Sequence, residues 1–535
     1  MSEPRHLTAA LAAADSDRII YDLTGIEQQY RQLRAELPGV RVRFAMKACP
    51  VDDVLSALAQ AGAGFDAAGP GEIRQALRTG ISPQNVHYGN TIKSDEDIAV
   101  ACRLGITLYA TDCIEDVQAI ARYAPGSTVF CRVSTTGQGA VWGLTGKCGT
   151  DDPITVLAEA RRLGLRPAGL SLHVGSQQMT VAAWEAAFGT LEPLILGLLA
   201  EDIRLEHVNL GGGLPALGHP GLHPPLAAIF AAIRAGLHRL RAAAGDEELG
   251  FVIEPGRHLV ADHGVIRARV ARLTGRRQPW LYLTCGRFNG LYEGDQLRYP
   301  LTFPTATGQP LVPAVVAGPS CDSDDVLAGA DPVLVPAGLQ SGDPVWIHSA
   351  GAYAVSYTTT GFNGFDPLPC HSVRAERLRP IEARDWAAIS ALEAGAYASA
   401  GLSESPEALR SRAHPATSFV IESDDRIGGY VLALPYPPKG FPDLRRPEPA
   451  AVPSGGLHLH DIVIGAGLRG RGWGKRLVQH LTDTARALAY DSISLISVDG
   501  TAGFWNACGF RVHPEITLPA TYGPHAVYMS RDLQE

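Results

Sequence analysis

One lysine stands at the end of an apolar run, where an amine could do chemistry. Lys47 directly follows Phe44-Ala-Met, residues typical of a buried strand. Burial withdraws water from an ammonium group and lowers its pKa, which leaves a neutral amine able to attack a carbonyl carbon. We therefore expect Lys47 to hold a carbonyl compound covalently, although a lone lysine at a strand end is more often simply exposed.

Three further groups complement this amine. Gly211-Gly212-Gly213 offers backbone amides with no side chain in the way, which suits a phosphate. Glu254 could pair with a pyridine nitrogen and keep that ring protonated and electron-withdrawing, and His173 could stack on the flat ring. The glycines alone also fit a turn, and the histidine alone fits a packed core. Together with Lys47, these groups predict a pyridoxal phosphate site.

Each of these residues comes at the end of a short apolar run or directly after it. Eight such runs alternate with helical stretches, which indicates repeated βα units. Eight units make a (β/α)8 barrel, in which chemistry takes place at the carboxyl ends of the strands. The runs are Val42–Met46, Gly64–Phe65, Val86–Tyr88, Ile106–Ala110, Thr128–Val133, Ala168–Leu172, His207–Leu210 and Phe251–Ile253.

The pattern of the chain changes after residue 258. Short strands separated by glycine and proline turns continue to about residue 375 and are typical of an all-β domain, which the N-terminal strand Arg18–Tyr21 joins. An αβ pattern then runs to the end. The predicted domains are a β-rich domain of residues 1–40 and 259–375, a barrel of 41–258 and a third domain of 376–535.

Composition narrows the class of protein. A chain of 535 residues exceeds one hydrophobic core, and its net charge of -9 gives no reason to expect nucleic acid or an anionic membrane as a partner. No apolar stretch reaches the roughly 18 residues of a membrane span, and the N-terminus lacks the order of a signal peptide. Nine cysteines without a CxxC pair fit a reducing cytoplasm better than disulfides or a zinc site, so we expect no metal.

The order of these motifs over residues 15 to 375 resembles the fold-type III pyridoxal-phosphate-dependent decarboxylases, the alanine-racemase-like barrels that act on ornithine, lysine, diaminopimelate or arginine. The resemblance implies that Lys47 binds the cofactor and acts in catalysis. It also implies that His173 stacks on the ring as a catalytic residue and that Glu254 binds the pyridine nitrogen. The other implied cofactor contacts are Asp66, Arg132, Ser176, Gly211, Gly212, Gly213, Gly256, Arg257 and Tyr353, with Glu72 close by.

A later segment bears on the substrate. Gly-Pro-Ser-Cys321-Asp322-Ser-Asp-Asp325 resembles the segment that, in the ornithine/lysine branch, enters the neighbouring subunit's site. The resemblance implies a homodimer with shared sites, in which Cys321 returns a proton and Asp322 and Asp325 bind the substrate. An anion there suits the distal ammonium group of a linear diamino acid.

One position departs from that branch. Relatives carry an aspartate where this chain has Thr284 or Cys285. Loss of that carboxylate would weaken the contact with the distal ammonium group or change what is bound. Asp295 or Glu293 could substitute. The substrate prediction therefore leaves open a different amino acid of a specialised pathway.

The last domain carries a second pattern. The alternating run His458–Ile464 leads through a glycine-rich turn into an amphipathic helix, and such a helix N-terminus presents free amides to a pyrophosphate. Arg469-x-x-Gly472-x-Gly474 resembles motif A of the GNAT acetyltransferases, and Ala502–Phe510 resembles their Phe-Tyr-x-x-x-Gly-Phe signature. The resemblance implies an acetyl-CoA site made by Arg469, Gly470, Arg471, Gly472, Trp473, Gly474 and Asn506.

The GNAT pattern is incomplete at the chemistry. Trp505 replaces the signature tyrosine, and an indole cannot protonate a thiolate. Tyr522, Tyr528 or solvent could do so, and positioning alone supplies much of the rate in such transfers. The candidate bases for the incoming amine are Asp461, His460 and Glu422.

The two halves together predict a bifunctional enzyme. Decarboxylation of lysine or ornithine yields a diamine, and a fused acetyltransferase would consume it with acetyl-CoA. The order of the two steps stays open. The alternatives are a decarboxylase for another amino acid with acetyl tailoring, or a regulatory pseudoenzyme, which would have lost the cofactor lysine that this chain keeps.

Overall fold

The structure is a computed structural model of the chain, and it describes residues 3–143, 145–423, 426–449, 454–498 and 500–534. The chain folds as two compact units, Met1–Arg374 and Ala375–Glu535. The division between them falls beside residues 375 and 376, where the sequence pattern changes.

The first unit contains a closed barrel of eight parallel strands, so the predicted fold class is confirmed. Neighbours along the chain are neighbours in the barrel, and the pairing of Phe251 with Val40 closes it. The strands are short and apolar because both of their faces are covered. Barrel strands 1 to 8 are Val40–Ala45, Gly64–Ala67, Val86–Tyr88, Leu108–Thr111, Thr128–Arg132, Arg166–Ser171, His207–Asn209 and Gly250–Ile253.

A helix follows each barrel strand, and the eighth of these helices is a single turn. In chain order they are Asp52–Ala61, Pro70–Arg78, Asp95–Arg103, Ile114–Tyr123, Pro153–Arg162, Val181–Ala200, Leu226–Ala244 and Arg257–Val260. The helix Leu23–Glu36 also packs against the helix Asp52–Ala61, although the sequence-based division placed it with the β-rich domain. Its buried residues Ile26, Tyr30 and Leu33 repeat at helical spacing and face this contact.

One barrel helix corrects the expectation about membrane spans. Val181–Ala200 is long and apolar enough to cross a membrane by length and composition alone. It packs against the helix Leu226–Ala244, and it buries Trp184, Phe188 and Leu191 in the core of the first unit. Its apolar face therefore has a packing partner in the barrel.

The rest of the first unit is a mixed eight-stranded sheet. The N-terminal strand joins it by antiparallel pairing of Ile19 with Ile266, and it also pairs in parallel with a strand at Cys370 that the sequence did not indicate. An additional helix, Arg5–Ala13, precedes the sheet. The strands are Arg18–Asp22, Gly264–Leu273, Trp280–Leu283, Leu301–Thr302, Leu311–Ala317, Val333–Pro336, Pro344–Ile347 and Cys370–Val373, and a separate small sheet pairs Ala140–Trp142 with Ser176–Gln178.

The second unit is built on one seven-stranded sheet. In sheet order its strands are Glu376–Pro380, Phe419–Ser423, Arg426–Pro435, Gly456–Ile464, Ser492–Ser497, Val527–Asp532 and Arg511–Val512. The helices are Trp386–Tyr397, Pro406–Ser411, Trp473–Ala487 and Ala502–Ala507. The longest, Trp473–Ala487, buries Leu477 and Leu481 in the core of this unit, as its amphipathic pattern predicts.

Candidate active sites

A cavity of about 1010 Å³ opens at the carboxyl ends of the barrel strands. Parallel strands bring their carboxyl ends to one rim, so residues far apart in sequence meet there. Eleven of the twelve expected cofactor residues line this cavity, and the twelfth, Gly211, is buried beneath it. The lining members are Lys47, Asp66, Arg132, His173, Ser176, Gly212, Gly213, Glu254, Gly256, Arg257 and Tyr353.

Lys47 lies in the short turn Met46–Ala48 that directly follows barrel strand 1. Burial favours its neutral amine, but the nearby groups of Tyr353, Asp66 and Glu254 outweigh burial and raise the pKa of Lys47. The expectation of a lowered pKa is therefore wrong. The sequence shows the buried strand but not the anions that the fold brings around the amine.

A histidine that the sequence analysis did not single out links two of those anions. Nε2 of His87 lies 3.1 Å from Oδ1 of Asp66 and 2.9 Å from Oε1 of Glu254. Burial lowers the pKa of His87, but its hydrogen bonds to both carboxylates outweigh burial and raise it. Burial raises the pKa of Asp66, and the hydrogen bond and charge of His87 reverse this and lower it. The three side chains therefore form one charged, hydrogen-bonded group.

Two neighbours hold this group in place. Nδ2 of Asn209 donates a hydrogen bond of 2.5 Å to Oε1 of Glu254. A Cβ added at Gly89 would lie 1.8 Å from Oδ1 of Asp66, so the glycine leaves room for that carboxylate. The one signal in the sequence was a histidine inside the apolar run Val86–Tyr88. The donor atoms of Asp66, His87 and Glu254 are also close enough to hold a metal ion, but here hydrogen bonds join them.

The glycine triplet adopts a conformation that other residues would not tolerate. Gly211 and Gly213 have φ angles of 63° and 104°, in the left-handed region that favours glycine. A Cβ at Gly211 would lie 2.0 Å from the carbonyl oxygen of Leu172, and one at Gly213 would lie 2.4 Å from that of Gly175. The loop therefore keeps its backbone bare, as a phosphate cradle requires.

His173 is fixed beside this loop in its neutral form. Its Nδ1 accepts a hydrogen bond of 3.1 Å from the amide of Gly212. Burial, together with the charges of Lys47 and Arg132, lowers the pKa of His173 to about 3. A neutral imidazole in this place suits stacking on a flat ring.

Arg257 occupies the opposite wall of the cavity. Its two terminal nitrogens each lie 2.6 Å from an oxygen of Glu293, and both side chains are buried. The guanidinium also stacks on the rings of Trp142 and Tyr353, at 4.7 and 4.8 Å from their centres. Tyr353 has a φ of 62°, a strained value for a tyrosine. Glu293 is thus committed to Arg257, which makes it a poor substitute for the missing substrate carboxylate.

Glu72 and Gly256 support the cavity in different ways. Glu72 accepts a hydrogen bond of 2.7 Å from the amide of Ala68, and burial raises its pKa. Gly256 allows close packing of the last strand, since a Cβ there would lie 2.8 Å from that of Ala48. Glu72 therefore supports the strand end, whereas Gly256 belongs to the cavity wall.

The segment expected to reach a second subunit divides into two parts. Cys321 and Asp322 are exposed and lie outside the lining of their own chain's cavity. Asp325 is buried, and it accepts hydrogen bonds from the amide of Arg287 at 2.8 Å and from the hydroxyl of Ser320 at 2.7 Å. The prediction that Asp325 binds substrate is therefore corrected, because its carboxylate holds its own loop together.

Thr284 and Cys285, the positions where the sequence departs from the ornithine/lysine branch, contribute no side chain to the cavity. Cys285 is fully buried, and the hydroxyl of Thr284 bonds to the backbone of Arg269. Neither side chain lines the cavity. Asp295 does line it and lies 3.4 Å from a nitrogen of Arg287. Glu293 also lines the cavity, but Arg257 binds both of its oxygens, so Asp295 is the less engaged of the two substitutes considered.

The second unit has a cavity between two strands that separate. Gly456–Ile464 and Ser492–Ser497 run parallel and pair as far as Leu459 and Leu495. Beyond this point, within the described residues, the two strands no longer pair with each other. A cavity of about 320 Å³ lies in the opening, between Leu459 and Val498. We call it the larger cavity of the second unit, because a smaller cavity lies beside it.

The expected acetyl-CoA loop follows the first of these strands. Gly470 and Gly472 have φ angles of 71° and 76°, and the 15-residue helix Trp473–Ala487 begins directly after them. Gly474 lines the larger cavity. This backbone turn and helix start match what an anion site needs.

The side chains of that loop are directed elsewhere. Nε of Arg469 donates to the carbonyl of Ile464 at 2.9 Å, and Arg471 forms an ion pair of 3.0 Å with Glu376. Trp473 packs in the core of the second unit, which restricts any contact with acetyl-CoA to its backbone. Asn506 is exposed on the helix Ala502–Ala507.

The candidate acids and bases of the second unit differ in whether they line the larger cavity. His460 and Asp461 line the larger cavity, whereas Glu422 is paired with Arg377 and Arg379. The hydroxyl of Tyr522 donates to the carbonyl of Pro442 at 2.5 Å. That of Tyr528 accepts from the amide of Lys439 at 3.0 Å. The structure therefore favours His460 or Asp461 as a base and engages both tyrosine hydroxyls in other contacts.

Comparison with known proteins matches a family to a part of each unit. The family model for the pyridoxal-binding domain of pyridoxal-dependent decarboxylases matches residues 23–261, and that of the GNAT acetyltransferase family matches residues 384–510. The lysine/ornithine decarboxylase of Selenomonas ruminantium is 30% identical over 358 residues, covering 66% of this chain and 88% of the relative. The diaminopimelate decarboxylase of Pseudomonas aeruginosa is 30% identical over 363 residues, covering 64% and 85%.

Solved structures give the same result for the first unit. The lysine decarboxylase from Selenomonas ruminantium superposes with a TM-score of 0.63 at 28% identity, covering 70% of this chain and 96% of that one. The lysine/ornithine decarboxylase from Vibrio vulnificus complexed with cadaverine has a TM-score of 0.62 at 28% identity, covering 69% and 97%. The chain belongs to the pyridoxal-dependent decarboxylases and is an enzyme of that family fused to a GNAT acetyltransferase domain.

Proposed function

We propose that the enzyme decarboxylates lysine or ornithine to a diamine and transfers an acetyl group from acetyl-CoA to that amine. The observation that carries the first activity is the single cavity in which Lys47, Glu254 and the bare glycine loop meet. The second activity is supported by the cavity between the separating strands. The Selenomonas relative is named a lysine/ornithine decarboxylase, and the Vibrio structure is complexed with cadaverine.

The residues of the first cavity fit pyridoxal phosphate. The cradle Gly211–Gly213 has no room for a Cβ at either end, and it would hold the phosphate with Ser176. Glu254, held by Asn209 and His87, would bind the pyridine nitrogen. Bound at Lys47, the cofactor supplies a sink for the electron pair that is left when carbon dioxide departs.

The chain's own residues prepare the site for this step. His173 is neutral and held by Gly212, so it can stack without adding charge. The hydrogen bond and charge of His87 lower the pKa of Asp66, and the same imidazole lies 2.9 Å from the carboxylate of Glu254. Lys47 is surrounded by anions that favour its protonated form, and it can therefore hold a proton beside the reacting carbon.

We further propose a homodimer with shared sites. Cys321 and Asp322 are exposed and do not line the cavity of their own chain. In a dimer, Cys321 of a second copy would return the proton to the substrate carbon, and Asp322 would bind the distal ammonium group. All nine cysteines are free thiols, which favours a reducing compartment such as the cytoplasm.

A second candidate is favoured by a specific observation. Neither Thr284 nor Cys285, the two positions where the resemblance to the ornithine/lysine branch implies a lost aspartate, lines the cavity, and Glu293 is committed to Arg257. The site then keeps fewer carboxylates for a distal ammonium group. A different amino acid, with acetylation of its decarboxylated product, would be consistent with this loss.

Product analysis by mass spectrometry tests these proposals. The purified protein would receive pyridoxal phosphate and acetyl-CoA with lysine, ornithine, arginine or diaminopimelate separately. Acetylated cadaverine or putrescine is the expected product. Lys47→Ala should abolish decarboxylation and leave acetylation of an added diamine intact, whereas the control Arg103→Ala, at an exposed position of the first unit outside the cavity lining, should keep both. Consumption of none of the four amino acids would overturn the substrate proposal.

A further inference from the structure

A smaller cavity adjoins the larger one in the second unit. Its volume is about 60 Å³, room for roughly four to six water-sized groups at about 10–15 Å³ each. That is the size of a short aminoalkyl chain. The two cavities share part of their lining, so they are adjacent. The shared residues are Tyr397, His460, Asp461, Ile496 and Val498.

A histidine–carboxylate pair lies at this junction. Nε2 of His460 lies 2.5 Å from Oε2 of Glu404, and both side chains are buried. Arg412, which is fully buried, holds the other oxygen of Glu404 at 3.0 Å. An imidazole that donates from Nε2 to a carboxylate has its lone pair on Nδ1. The pair thus has the arrangement in which a carboxylate orients a histidine base.

The protonation states around the pair are consistent with this role. Burial would raise the pKa of Glu404, but the hydrogen bond and charge of His460 and the charge of Arg412 lower it. Glu404 is therefore an anion that can orient the imidazole. Asp461 accepts hydrogen bonds from Tyr397 and Tyr430, and burial raises its pKa. Asp461 is thus engaged by two hydroxyls, which leaves His460 as the better base.

The smaller cavity also selects for positive charge. Carboxylates of Glu393, Glu404 and Asp461 line it, and among the described residues no lysine or arginine does. The remaining histidine in its wall, His458, stays neutral because burial lowers its pKa. A cationic amine would therefore be favoured over a neutral or anionic acceptor.

We propose that the smaller cavity is the acceptor site for a primary amine that carries a second positive charge, and that His460, oriented by Glu404, is its catalytic base. The proposal rests on the function proposed above. The ammonium group gives one proton to Nδ1 of His460, and its nitrogen forms the C–N bond to the acetyl carbon. The C–S bond then breaks, and the second proton passes from nitrogen to the departing thiolate.

The test uses the full-length protein with acetyl-CoA and cadaverine as the probe. His460→Gln should lower kcat/KM for acetylation by about 10²- to 10⁴-fold, the usual contribution of a general base, with acetyl-CoA affinity and decarboxylation unchanged. The matched control His525→Gln alters an exposed histidine of the same unit and should leave acetylation unchanged. Pentylamine, which lacks the second charge, should be a poorer acceptor than cadaverine for the unmodified enzyme.

Two readouts separate a base from a structural histidine. An aminooxy acceptor of the same length is unprotonated at neutral pH, so the His460→Gln deficit should nearly vanish with it. Added imidazole should restore part of the activity of His460→Ala, which also shows that this variant folds. An equal deficit with both acceptors and no rescue, or full activity of His460→Gln, overturns the proposal. Failure of the unmodified enzyme to acetylate any amine instead overturns the function on which it rests.

Discussion

Nε2 of His87 lies 2.9 Å from Oε1 of Glu254, and the same atom lies 3.1 Å from Oδ1 of Asp66. One buried imidazole thus joins the two partly buried carboxylates of the cofactor site, where charges are screened less than at the surface. Two carboxylates with no cation between them would repel each other and take up a proton. His87 therefore acts as a positioning residue for Glu254.

Replacing His87 with leucine should weaken cofactor binding. The change leaves two partly buried carboxylates without this cation, so the free energy of unfolding should fall, by less than the about 3–5 kcal/mol of a fully buried pair. The affinity for pyridoxal phosphate should fall at least tenfold, as measured by absorbance titration. His238→Leu, on an exposed helix position of the same unit, is the control. Unchanged cofactor affinity in His87→Leu would show that Glu254 is positioned without the histidine.

The buried pair of Arg257 and Glu293 offers a second test. The two terminal nitrogens of the Arg257 guanidinium each lie 2.6 Å from an oxygen of the Glu293 carboxylate. Removing one member of such a pair leaves an uncompensated charge. Glu293→Gln should lower the free energy of unfolding by about 3–5 kcal/mol. Asp331→Asn, which breaks the exposed pair with Arg298, should cost less than about 1 kcal/mol. Urea denaturation of both variants makes the comparison, and equal effects would contradict the burial argument.

The barrel could be predicted because its strands carry a strong local signal. Most of the barrel strands are short apolar runs with a polar or glycine residue at the end or shortly after it, and the run Val86–Tyr88 matches its strand at both ends. The same local signal located Lys47 and the glycine triplet. Their chemistry follows from position at a strand end, which a single sequence reveals.

The parts that could not be predicted depend on contacts between distant segments. Glu293 meets Arg257 across 36 positions of the chain, and no periodicity indicates which carboxylate will do so. The raised pKa of Lys47 likewise comes from side chains of other strands. His460 was one of three candidate bases until the fold placed Glu404 beside it.

The correction at Asp325 gives a third test. Its buried carboxylate binds the amide of Arg287 and the hydroxyl of Ser320, whereas Asp322 is exposed. Asp322→Asn should lower kcat/KM for decarboxylation at least tenfold with little change in stability. Asp325→Asn should instead lower the free energy of unfolding by about 1–3 kcal/mol, because buried donors lose their acceptor. Steady-state kinetics together with denaturation distinguish the two, and the reverse pattern would restore Asp325 as a substrate ligand.

The stability of the first unit should depend on pH through His207. Burial, with the charges of Arg41, His87 and Arg43, lowers the pKa of His207 to about 3, whereas an unfolded histidine titrates near 6.5. Below about pH 6.5 the unfolded state therefore binds a proton that the folded state does not. The contribution to stability is complete above that pH and is lost as the pH falls towards about 3, by about 1.4 kcal/mol per pH unit.

His207→Gln tests how much this histidine contributes to the pH dependence of the free energy of unfolding. The substitution removes the edge contact with the ring of Phe130, which lowers stability by a similar amount at every pH. It also removes the proton uptake of the unfolded state, so the pH dependence itself should weaken. Between pH 6 and 5, the free energy of unfolding should fall by about 1.4 kcal/mol less in the variant than in the unmodified protein. Urea denaturation at the two pH values measures this, and parallel losses in both proteins would mean that His207 is protonated in the folded barrel.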